Sequence, residues 1–268
     1  MLSLLCMLYR ARGYIPQNRL EVYRECADLL FRRWDSLRHI EQPFDHRRFG
    51  LHLMQELARF YYTSQAAQSG VEEGQLLRII SQFLQDVAGI EPSEADGRSR
   101  AFLDFCADRA WLLTIKGSND RGVRLFGFTH RTFMEYFAAE AIVRRADGVE
   151  EIAQEVIRAF DRDPSSVITD VIVQSADVKT YRGAEEVLNE LLRVGREQRK
   201  LSDKYLALCL RILNCSPVSG KVTRRLIKSV IDFWNQELAI DGTSQSSLAL
   251  FSLYRDPREH VVALLEDP

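Results

Sequence analysis

Apolar residues recur along most of this chain at intervals of three and four. Leu20, Tyr23, Ala27, Leu30, Trp34 and Leu37 form one such series, and Arg19, Arg24, Glu25, Asp28, Arg32 and Arg33 fill the positions between them. That spacing predicts a helix with one buried stripe and one solvated face. Asn18 is its candidate cap, and Glu21, three residues on, completes the pairing that satisfies free backbone donors at a helix start. The preceding run MLSLLCMLY predicts a short buried helix. It has neither the basic lead nor the small-residue cleavage site of a secretory leader, and it stops well short of the ~20 residues of a membrane span. Because it opens in mid-core without a cap, native sequence is expected ahead of Met1.

Gln42-Pro43 interrupts the pattern. Three helical stretches are then predicted, near 45–62, 73–87 and 98–110, followed by β-prone runs at 111–116 and 123–128. Between those runs lies Gly117-Ser118-Asn119-Asp120-Arg121-Gly122, a polar, glycine-containing hairpin tip. Three helices followed by a hairpin predict a winged-helix unit. Thr129 is read as the cap of the next helix, which places Phe133, Met134, Phe137, Ala138, Ala141 and Ile142 on one face. Beyond Asp147-Gly148, amphipathic stretches at 149–160, 166–175, 184–197, 203–213 and 222–238 are divided by Pro164, Gly183, Pro217, Gly220 and Gly242.

The expected fold is therefore mainly α. Residues 1–42 form the end of a small helical domain, 43–146 a winged-helix domain with a small β-hairpin, and 147–268 a C-terminal helical domain, either a bundle or a helical-repeat region.

Composition narrows the chemistry. With 36 basic and 38 acidic residues the net charge is -2, so the chain has no overall field to attract nucleic acid or anionic lipid. The cysteines Cys6, Cys26, Cys106, Cys209 and Cys215 are odd in number and scattered, which fits reduced thiols in a cytoplasmic protein. A phosphate-cradling loop needs GxxxxGK followed by Ser or Thr. The nearest approach, Gly220-Lys221, has Cys215 in place of the first glycine and Val222 where a hydroxyl must bind magnesium, so it reads as a loop start. His39, His46, His52, His130 and His260 form no HExxH pair, and no metal site is expected. Glu150-Glu151 and Glu185-Glu186 read as solvated faces. A basic series, Arg193, Arg196, Arg199, Lys200, Lys204, Lys221, Arg224, Arg225 and Lys228, could meet an acidic surface, but Glu197, Asp203 and Asp232 interleave with it, and a solvated face is the reading adopted. Nucleic acid is not an expected partner, since the third helix of the winged unit offers Phe102, Leu103, Phe105 and Cys106 against few basic residues.

One segment carries a family resemblance. Phe126-Gly127-Phe128-Thr129-His130, then Phe133 and Glu135-Tyr136-Phe137-Ala138-Ala139, resembles the strand-to-helix junction that closes the winged-helix domain of NACHT-family signal-transduction ATPases. The opening LSLLCMLYRARGYIP and the Arg19–Cys26 helix running to Arg33-Trp34-Asp35 are similar to the small helical domain that follows the ATPase core in that family. The resemblance covers residues 1–145.

By that resemblance, His130 contacts a phosphate of ADP held in the core and keeps the protein closed. Phe133, Tyr136 and Phe137 serve packing, and Glu135 a structural hydrogen bond or ion pair. The family's phosphate loop, magnesium-binding acids and core sensors have no counterpart here, so no catalytic activity and no bound cofactor are expected of this chain alone. ADP or ATP with magnesium would bind the full-length protein, through an NTPase core of the same polypeptide, and the active form would be a homo-oligomer engaged in defence or stress signalling. A charge-assisted bond from His130, about 1.5 to 3 kcal/mol, would bias a closed-to-open equilibrium by about 10- to 150-fold. The rival reading is a stand-alone winged-helix or helical module recognising DNA or protein.

Overall fold

The computed structural model describes residues 2–16, 18–30, 49–64, 66–109, 112–197 and 203–241. Among these the chain is mainly helical, with eleven α-helices and a small three-stranded antiparallel sheet. The far end of the helix expected to run past Trp34, the expected helix start at 45–48, and residues 242–268 lie outside the described residues. The chain divides into two compact units, Met1–Arg144 and Arg145–Pro268.

The first unit opens with α1 (Leu2–Arg12) and α2 (Arg19–Asp28). Asn18 delivers the expected cap, its Oδ1 accepting the Leu20 amide at 2.8 Å. The predicted stripe on α2 is buried at Leu20, Tyr23, Cys26 and Ala27. Helix α1 differs from a fully buried segment: Leu8 is buried, whereas Cys6 and Tyr9 face solvent. Arg12 at its end bonds Glu25 of α2 at 2.5 Å.

Helices α3 (Leu51–Thr63), α4 (Glu73–Asp86) and α5 (Pro92–Asp104) follow. Helix α5 starts earlier than its apolar periodicity indicates, because Pro92 at the first turn supplies a helical φ where no amide partner is needed. It widens into a π-helical turn at Phe105–Arg109. Strands β1 (Val71–Glu72), β2 (Leu113–Ser118) and β3 (Arg124–Phe128) form the sheet, in the order β1-β3-β2. The hairpin is the one its Gly-containing tip predicted. Strand β1 was not visible in the sequence: two residues carry no period, and Val71 becomes strand only by pairing with Phe126.

Helix α6 (Arg131–Arg145) closes the unit, burying Phe133, Tyr136 and Phe137. Tyr23 packs edge-on to Phe133 at 5.8 Å and stacks near Tyr136 at 5.7 Å, which joins α2 to α6. From α3, Tyr61 donates its hydroxyl to the Phe126 carbonyl at 2.7 Å and meets the Phe128 ring edge-on at 5.2 Å. These contacts set the direction in which β3 delivers the chain to α6.

The second unit comprises α7 (Val149–Arg162), α8 (Ile168–Lys179), α9 (Gly183–Glu197), α10 (Asp203–Cys215) and α11 (Gly220–Asp241). Helices α7 and α10 pack on both α8 and α9, and α11 packs on α9 and α10. Helix α8 is buried without a break from Ile168 to Ala176, so it is the centre of this unit. Two local features hold its ends. A Cβ on Gly183 would sit 2.2 Å from the Ala176 carbonyl oxygen, so the α8–α9 corner closes only around a glycine. Arg211 of α10 binds Asp170 at 2.5 Å, the Ser166 carbonyl at 2.6 Å and the Pro164 carbonyl, tying the α7–α8 loop to the core.

Candidate functional site

The segment around His130 forms the turn from β3 to α6. The Thr129 amide donates to the Leu112 carbonyl at 2.9 Å, which anchors the end of β3 against the start of β2. The helix then begins one residue later than the sequence indicated. The His130 carbonyl accepts the amides of Phe133 at 3.1 Å and Met134 at 3.3 Å, so His130, not Thr129, holds the capping position. The Thr129 hydroxyl makes no cap: its oxygen is shielded from solvent and has no hydrogen-bond partner among the described residues. Pinned by its amide to β2, Thr129 lies too early to reach the helix amides.

His130 is exposed. Partial desolvation, and after it neighbouring positive charge that includes Lys116, holds its pKa below the ordinary imidazole value.

Lys116 is the residue that sequence reasoning missed. In the β2–β3 ladder Ile115 faces Phe126 and Gly117 faces Leu125, so Lys116 is the extra residue of a β-bulge. A bulge re-aims its side chain out of the regular alternation. The Lys116 stem runs across Gly127: a Cβ placed there would lie 2.8 Å from Cε and 3.0 Å from Cγ. Lys116 makes no ion pair among the described residues. The only sequence signal was a glycine in the middle of a strand, which often marks a close approach.

Together the junction offers an imidazole, an ammonium and the amides of a helix's first turn, whose dipole end favours negative charge. This donor set suits a phosphate oxygen or another anion.

Glu135, one turn into α6, is buried and receives Arg131 Nε at 2.7 Å, an ion pair that anchors the first turn. The remaining candidates are dispersed. His52 is exposed, and burial followed by Arg144 lowers its pKa; His39, His46 and His260 lie outside the described residues. Gly220-Lys221 open α11, with Val222 buried. Cys26, Cys106 and Cys209 are buried, Cys215 is half-buried, and Cys6 is exposed. Among the described residues no cluster of three or more His, Cys, Asp or Glu side chains could hold a metal, and no helix is long and apolar enough to cross a membrane. No family model matches the chain, and neither the curated proteins nor the solved structures give a significant match.

Proposed function

We propose that this chain is the regulatory, nucleotide-sensing and signal-relaying part of a NACHT-like switch ATPase. It has no catalytic activity of its own, and its site is completed by an NTPase core of the same polypeptide. In the closed state ADP, with magnesium in the core, meets His130; in the open state ATP permits homo-oligomerisation in cytoplasmic defence or stress signalling. The observation that carries the reading is the β3–α6 junction, where the FTHRTFMEYFAA segment leaves an exposed imidazole at a helix start with Lys116 nearby.

The order helix, strand, two helices, strand, strand, with strands paired β1-β3-β2, supports a winged helix for residues 43–146. The Lys116 ammonium supports the same assignment, since a second cation beside His130 suits a polyanionic phosphate better than a neutral ligand. A free-standing DNA-reading module has less support. Helix α5, the one that would enter a groove, spends Arg98 on an ion pair with Glu94 at 2.8 Å and also exposes Asp96.

The test is ADP release from the full-length protein. Replacing His130→Ala should speed ADP dissociation by about 10-fold or more and raise basal activity. An unchanged dissociation rate removes His130 from the sensor role. The pH dependence has a defined sign. A phosphate neighbour raises the pKa of the bound imidazole above that of the free one, so ADP retention should strengthen as pH falls toward and below 6.5. The His130→Ala variant should lose that dependence.

A further inference from the structure

The second unit sorts its exposed charge by helix. Between Gly220 and Lys228 the charged side chains that α11 turns to solvent are Lys221, Arg224, Arg225 and Lys228, while Val222, Leu226 and Ile227 are buried. Spacings of three and four place the four cations on one face. None of them has a carboxylate partner among the described residues: Arg225 donates to the Asn189 amide oxygen at 2.8 Å. Arg196 of α9 adds a fifth cation, bound to the Ser229 hydroxyl of α11 at 2.9 Å. Arg193 drops out of the row, because Glu190 and Glu197 both hold it at 2.5 Å. Glu197, one of the acids that interleave with the basic series in sequence, is thus spent on Arg193, and Asp232, one turn past Lys228, ends the row.

The start of α7 is the reverse. Asp147, Glu150 and Glu151 are exposed, and no cation pairs with any of them among the described residues. Glu151 accepts the Asp147 amide at 3.0 Å, and the nearby Arg158 is bound to Glu155 instead. Helices α7 and α11 both pack on α9, yet the acids of one do not pair with the cations of the other. One unit therefore carries two complementary faces, neither neutralised among the described residues.

We propose that this unit self-associates head to tail, the acidic start of α7 in one copy docking on the α11 cations and Arg196 of the next. A second copy fits better than nucleic acid. The chain's net charge of -2 gives no long-range attraction for a polyanion. The described cationic face carries no aromatic residue on which a base could stack. The matching acids lie on the chain itself. Because the two faces differ, the contact is heterologous and closes into a ring or extends into a filament. Exposed ion pairs are individually weak and salt-screened, so the association is weak and sensitive to ionic strength. It does not depend on His130 reading a nucleotide.

Sedimentation velocity of this chain tests the proposal. Self-association is expected at roughly 100 µM protein in 50 mM salt, with an association constant at least about tenfold lower in 500 mM salt. The variant K221E/R224E/R225E/K228E has two acidic faces and D147K/E150K/E151K has two basic ones; each alone should be monomeric, and an equimolar mixture should associate again. If a reversed set misfolds by circular dichroism, the neutral sets K221Q/R224Q/R225Q/K228Q and D147N/E150Q/E151Q should each weaken association. Wild-type protein that stays monomeric in low salt overturns the proposal, as does wild-type behaviour in the variants or a mixture that fails to associate. Salt-sensitive binding of a 20-base-pair duplex by monomeric wild-type protein, lost in the α11 variant, would assign the basic face to nucleic acid and also overturn it.

Discussion

At the scale of single residues, the position of Lys116 depends on an absent side chain. Gly127 has no Cβ, and the lysine stem occupies the space one would fill. Because the obstructing atoms belong to a flexible side chain, Gly127→Ala should leave the fold intact and displace the ammonium. In a protein that includes the proposed NTPase core, that substitution should speed ADP release by about 10-fold or more, the share of one charge-assisted bond, and Lys116→Ala should do the same. The double variant should be no faster than either single one, the behaviour of residues acting through one interaction. Additive effects would mean that Gly127 acts by another route. His130 could be singled out from sequence because an aromatic motif surrounds it. Lys116 could not, because only the register skip between Ile115 and Gly117 turns it toward the junction.

At the scale of elements, helix positions followed the apolar period closely where a helix has one wet face. Helix α4 was predicted at 73–87 and spans Glu73–Asp86; α9 was predicted at 184–197 and spans Gly183–Glu197. Agreement fails where a partner decides the outcome. Strand β1 exists through its pairing with β3, and α6 starts at Arg131 because the Leu112 carbonyl holds the Thr129 amide in the strand. The α8–α9 corner is the tightest such junction in the second unit. Replacing Gly183→Ala forces a Cβ against the Ala176 backbone, which cannot rotate away as a side chain would. The expected cost is about 1 to 3 kcal/mol, read as a lower urea midpoint with unchanged slope. A midpoint equal to wild type would show that the corner can open freely.

At the scale of the whole molecule, both units bury groups that ionise in alkali. Burial pushes the Cys26 thiol of the first unit up to about 11 and the Cys209 thiol of the second up to about 12, and it raises Tyr61, Tyr136 and Tyr205 as well. In the unfolded chain a thiol ionises near its ordinary value of about 8.5, so above that pH the folded state holds more protons than the unfolded one. Stability should be full at neutral pH and fall as pH rises from about 9 through 11, by up to about 1.4 kcal/mol per pH unit for each buried thiol. Urea midpoints measured at pH 8 and pH 10.5 check this, and equal midpoints would mean the thiols are not sealed in the fold. Cys209→Ala should flatten part of the slope at some cost in packing.

Sequence alone determined the mainly helical class, the hairpin after the third predicted helix and the Asn18 cap. Each of these follows from local spacing or local backbone chemistry, which a linear pattern records directly. Tertiary structure decided what depends on residues distant in sequence. It set β1 against β3, moved the start of α6 to Arg131, laid Lys116 across Gly127, fixed Arg211 to the α7–α8 loop, and separated the neutralised Arg193 from the unpaired cations of α11. The physical reason is common to these cases. A strand without a period, a bulge, a half-buried guanidinium and an ion pair are each settled by which atoms come within a few ångströms, and that proximity is a property of packing.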